Sequence, residues 1–193
     1  MISLAALAVL SGLSLNLLLQ FAIGATGVAG DTRDRGAVPF FQFGIMFLAV
    51  IVLWVFFAVI LPPLWTGFVE YFLFFPLSAL VCMGFERLTE KILPKFGPRV
   101  FHALTGYDGL VPISLLITFT LAGDFGRACT LAFFFALGNL TAMLIVSEIR
   151  RKSTMERVPV FLRGSPLVLI SMGLLSLITG AAAGICFRVL ELF

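Results

Sequence analysis

The sequence predicts an all-α integral membrane protein: six transmembrane helices forming two inverted three-helix repeats, with the first and fourth helices broken or half-length. Three observations carry that prediction. The chain is 61% hydrophobic with a mean hydropathy of +1.13, far above the roughly 45–50% apolar usage of soluble domains. Its apolar residues form continuous runs rather than alternating ones, which favours helices over barrel strands. When six such runs are threaded back and forth, 11 of the 13 Lys and Arg residues fall on one side.

A helix needs about 20 mostly apolar residues to cross a hydrocarbon layer of about 30 Å. Runs of that kind lie near 2–23, 38–61, 67–85, 109–123, 128–147 and 165–187. Met1-Ile2-Ser3 supplies no basic segment ahead of the first run, so that run is expected to stay uncleaved although residues 22–30 are rich in small side chains. It dissolves into Gly24-Ala25-Thr26-Gly27-Val28-Ala29-Gly30. Pro39, Pro62 and Pro63 flank the second run as terminators, and Pro76 predicts a kink within the third. After it, Glu86-Arg87-Leu88-Thr89-Glu90-Lys91-Ile92-Leu93 mixes charged and apolar residues at helical spacing before Pro94 and Pro98, as a short interfacial segment would. The fourth run is confined between Asp108 and Asp124. Gly109 to Gly123 would make a helix of about 22 Å at about 1.5 Å per residue, shorter than the hydrocarbon core. No Pro/Gly/Ser linker divides the chain, so residues 1–193 read as one transmembrane domain.

The loops near 31–36, 86–108 and 148–164 hold Arg33, Arg35, Arg87, Lys91, Lys95, Arg99, Arg150, Arg151, Lys152, Arg157 and Arg163, against Arg127 and Arg188 on the other side. The basic face is therefore expected in the cytoplasm and both termini outside. Membrane topology accounts for the net charge of +3, so the lipid bilayer is the expected partner and nucleic acid is not.

The broken first run and the short fourth one lead their respective halves. In a transporter-like inverted repeat that pairing points to a site near the midplane. Both carry polar pairs at i and i+4, Asn16 with Gln20 and Ser114 with Thr118. With Thr26 these define a candidate midplane polar site. Gly12, one turn before Asn16, would admit a neighbouring helix closely, and hydrogen bonding between helices competes with a substrate path as the reason for the polar faces.

Other chemistry is sparse. Cys82, Cys129 and Cys186 have no CxxC spacing and are expected as free, packed thiols, with a Cys129–Cys186 disulfide as the lesser alternative; no metal site is predicted. His102 stands in a loop without a nucleophile constellation, and Glu70 lies near the outer end of the third run, where it can reach water. No nucleotide-binding or zincin motif occurs, so no catalytic residue is assigned.

Ile149-Arg150, followed by Val158-Pro159-Val160-Phe161-Leu162-Arg163-Gly164, resembles the "IR…VPxxFRG" connector of the membrane subunits of the Rnf and Na+-translocating NADH:quinone reductase (Nqr) complexes, with Leu162 intruding before the Arg. Gly173-Leu174-Leu175-Ser176-Leu177 is similar to the "GLMSL" run of that family, and Asn16 with Gly24 matches its "N…GLC" pattern. The resemblance is to the RnfA and NqrE branch and covers nearly the whole chain. It implies a multi-pass protein of a bacterial or archaeal cytoplasmic (inner) membrane, paired with a homologous inverted membrane subunit in a complex with other Rnf/Nqr-type subunits. It further implies a two-iron, two-sulfur cluster at the midplane, to which each of the two homologues offers one cysteine from each half-helix.

This chain departs from the family there. Ten residues beyond Asn16 stands Thr26, and six beyond Pro112 stands Thr118, both where the resemblance calls for cysteine. A neutral hydroxyl does not replace a thiolate on iron and sulfide. The expectation is thus a divergent, non-catalytic member of an ion-translocating electron transport complex that binds no cofactor by itself and no iron–sulfur cluster of the usual kind, with flavins on partner subunits as another electron route. Two other classes stay open: a small-molecule or cation carrier that uses the helix breaks as its pathway, and a structural scaffold.

Overall fold

The computed structural model describes residues 4–21, 38–60, 68–92, 109–155 and 165–191, and every regular element among them is helical. Helix α1 (Leu4–Val9) runs into a π-helical turn (Leu10–Ser14), and α2 (Leu17–Phe21) follows after Leu15 and Asn16. Helix α3 (Val38–Val55) ends in a second π-helical stretch (Phe56–Ile60). The remaining helices are α4 (Phe68–Ile92), α5 (Leu110–Leu121), α6 (Phe125–Met155) and α7 (Ser165–Glu191).

Each of the six apolar runs thus carries helix among the described residues. Phe125–Ile149 and Pro166–Val189 are long and apolar enough to cross a membrane, each with mean hydropathy 2.0. Ala5–Gln20, Phe43–Val59, Phe72–Phe85 and Leu110–Leu121 are shorter apolar stretches lying in the other four runs. Helix α6 continues beyond its apolar part as far as Met155, and a cation in its last turn, Lys152, suits the negative end of the helix dipole.

Packing centres on α6. Helices α1, α2, α3, α5 and α7 all lie against it, whereas α4 packs on α3 and α5. Ala128, Ala132 and Ala136 repeat at i+4 along α6 and are essentially sealed, beside Leu131 and Phe135. Small side chains at this spacing let helices approach closely, which matters in lipid because packing, not water exclusion, then drives association. Phenylalanines fill the wider gaps: Phe57, Phe74 and Phe119 meet edge to face, the Phe57–Phe74 centroids 4.4 Å apart, and tie the end of α3 to α4 and α5. Phe133 of α6 similarly meets Phe43 and Phe47 of α3 at 5.7 and 6.0 Å.

Two segments differ from the expectation. Residues Glu86 to Ile92 do not form a separate interfacial helix; they are the last turns of α4, which is continuous through Pro76. The first run is interrupted at Leu15–Asn16, well before the Gly24–Gly30 stretch, which lies outside the described residues. The fourth run is short as expected. Helix α5 has 12 residues; Gly109 precedes it in the left-handed region at φ 72°, a conformation that favours glycine, and Ala122 turns extended before α6 begins.

Candidate functional site

The polar positions singled out in the sequence gather around the interruption of the first helix and around α5, two segments that touch through α2. At the interruption, the Leu15 N–H reaches back to the Leu10 carbonyl at 2.7 Å, closing a π-type turn, and Leu15 itself leaves helical geometry (φ −105°, ψ 41°). Asn16 then serves as the N-cap of α2. Its Oδ1 accepts the Leu19 N–H at 3.2 Å while its Nδ2 donates to the Gly138 carbonyl of α6 at 2.9 Å. Asparagine suits the position because one side chain must both accept and donate.

The crossing here is as close as backbone allows. A Cβ built on Gly138 would stand 2.6 Å from the Gly12 carbonyl oxygen and 3.3 Å from Asn16 Nδ2, so the first helical run and α6 meet at a pair of glycines. The Gly138 carbonyl also accepts from Thr141 Oγ1 at 2.9 Å, and Ser11, fully buried, donates to the Leu7 carbonyl at 2.8 Å. Gln20 does not join this cluster. It is exposed on α2, because Asn16 sits at a cap, where its side chain turns back toward the helix start, and the two do not share one continuous helical face.

On α5, Ser114 and Thr118 are fully buried, yet each hydroxyl is satisfied inside its own helix. Ser114 Oγ donates to the Val111 carbonyl at 2.8 Å and Thr118 Oγ1 to the Ser114 carbonyl at 2.7 Å. Thr26 and His102 lie outside the described residues, and Glu70 stands in the first turn of α4. Sequence reasoning missed Gly138 and Asn139; the second is buried and directs its Nδ2 toward Met143 Sδ at 3.9 Å. A glycine and an amide side by side within an apolar run are the signal that could have found them.

The donor set described is neutral. Cys82 is buried, Cys129 and Cys186 are half-buried, all three are free, and no group of three or more His, Cys, Asp or Glu residues converges among the described residues. The hydroxyl of Thr118 points its proton at a carbonyl of its own helix, an arrangement that does not fit a thiolate-ligated iron–sulfur cluster.

No family model matches the chain. Over 139 residues, which are 69% of this chain and 70% of the relative, it is 27% identical to the A subunit of the ion-translocating oxidoreductase complex of Cronobacter sakazakii.

Proposed function

We propose that this chain is a membrane subunit of an ion-translocating electron transport complex of the Rnf/Nqr kind, divergent in that it does not itself ligate the family's iron–sulfur cluster. The observation that carries the proposal is the similarity to a known member of such a complex, which extends over 69% of this chain and 70% of the relative. The interrupted first helix and the 12-residue α5 support it, since they fall in the two runs where the resemblance calls for half-helices.

In this reading the six helical runs are six crossings in two inverted three-helix repeats. The basic loops face the cytoplasm, both termini lie outside, and the partners are an inverted homologue together with other subunits of the complex. Electrons then travel by flavins on those partners or by clusters held elsewhere. The chain contributes a sealed, polar-pinned frame rather than ligands, because Thr118 is already engaged with Ser114.

The test is co-purification of the tagged chain from its native membrane, followed by identification of its companions and redox spectroscopy. Flavin-carrying oxidoreductase subunits in the eluate are the expected result. Isolation of the chain without them, together with substrate uptake by the chain alone in liposomes, would favour the carrier instead.

A further inference from the structure

We infer that Asn16 is a positioning residue, the pin of a hinge in the first helix: its amide fastens α2 to α6 at Gly138, and the π-helical turn behind it is the segment that bends when the pin is released. The hinge does not depend on the electron-transport assignment.

Four features converge on this place. The chain leaves helical geometry at Leu15, between a π-turn and a fresh helix start. π-Turns are rare, carry one residue more than the α-helical register, and recur at functional sites and kinks. Asn16 joins the start of α2 to a third element, through its bond to the Gly138 carbonyl at 2.9 Å. The Gly12–Gly138 contact leaves no room for a side chain, so the first run pivots against α6 at this level, and no other described glycine of the chain is so tightly opposed.

The remaining contacts of α2 are of a kind that tolerates sliding. Leu18 and Leu19 pack with Ala142, Met143 and Val146 of α6 and with Val168 and Met172 of α7. Apolar packing of this sort is non-directional, whereas a hydrogen bond fixes distance and angle. The apolar cluster therefore holds α2 against the bundle and Asn16 sets its register. Because α2 also touches α5, a shift of α2 reaches the second polar segment directly.

Pulsed electron–electron distance measurement on the full chain in lipid nanodiscs tests this. Cys82, Cys129 and Cys186 are changed to Ser, and nitroxide labels are placed at Gln20→Cys and Lys152→Cys, both exposed positions. A reference pair at Phe133→Cys and Leu177→Cys reports on α6 and α7 away from the hinge. Asn16→Ala is expected to shift or broaden the first distance by about 5 Å, the height of one helical turn, and to leave the reference pair unchanged. Asn16→Ser keeps a capping hydroxyl for α2 but cannot reach Gly138, and it is expected to shift the distance as well. An unchanged distance in Asn16→Ser overturns the pin, whether or not Asn16→Ala folds, because capping alone would then account for the residue.

Discussion

The interruption at Leu15–Asn16 and the short helix α5 both bury polar side chains in an apolar bundle, and they satisfy them differently. Asn16 reaches across to another helix, at 2.9 Å from the Gly138 carbonyl, whereas Ser114 and Thr118 return their hydroxyl protons to carbonyls of their own helix at 2.8 and 2.7 Å. A hydroxyl one turn from a helical carbonyl can always do this; an amide with two donors and an acceptor cannot. Polar residues in an apolar span are thus of two kinds: those that bind elements together and those that are merely accommodated. Only the first kind fixes geometry between helices.

Gly138→Ala strikes hardest at that contrast. The added methyl would stand 2.6 Å from the Gly12 carbonyl oxygen, and separating two packed helices is expected to destabilise by about 3 kcal/mol, read as a lowered midpoint in reversible unfolding in mixed micelles. Asn16→Ala is next, at about 2 kcal/mol, from a lost cap of about 1 kcal/mol together with a lost interhelical bond. Asn16→Ser should recover about half of that loss by restoring the cap. Equal stability of Asn16→Ala and wild type in the same titration would remove the distinction altogether.

Thr118→Val probes the other segment. It keeps the shape of the buried side chain and removes only an intrahelical bond, so a change below about 1 kcal/mol is expected; a loss as large as that of Asn16→Ala would mean that Thr118 serves something beyond its own helix. The smallest effect belongs to Gly180→Ala on α7. Nothing stands within 4 Å of the position of its Cβ, so the isolated chain should be unchanged or gain up to about 1 kcal/mol from better helix propensity, measured in the same titration.

α6 and α7 extend the contrast to whole helices. Both are apolar over a membrane-crossing length, but 56% of the α6 span is buried against 17% of α7. The difference follows from side chains: α6 offers Ala128, Ala132 and Ala136 to its neighbours, while α7 turns Leu174, Leu177 and Ile178 outward. In a bilayer such a face meets lipid or a neighbouring helix.

Long apolar runs and their Pro and Asp boundaries make the described helices legible in the sequence, and the shortness of α5 follows from Asp108 and Asp124. The break at Leu15–Asn16 is not legible there, because Leu13 to Leu19 holds only Ser14 and Asn16 among apolar residues, and the break is braced by a tertiary contact with Gly138, 122 residues away. The extension of α4 through Ile92 escapes sequence reasoning for a related reason: charge marks a membrane boundary but does not end a helix, and the next terminator is Pro94. Of the candidate site, Asn16, Ser114 and Thr118 are buried, Gln20 is exposed, and Gly138 becomes apparent only in three dimensions.

As proposed, this chain keeps a polar frame without ligands, its Thr118 hydroxyl being taken up by the Ser114 carbonyl. Electron paramagnetic resonance of the reduced, purified membrane complex tests that proposal most directly, comparing wild type with Thr118→Val and Thr26→Val. Any iron–sulfur signal is expected to be unaltered in both variants. A signal lost on either substitution would contradict the proposal and return the cluster to this chain.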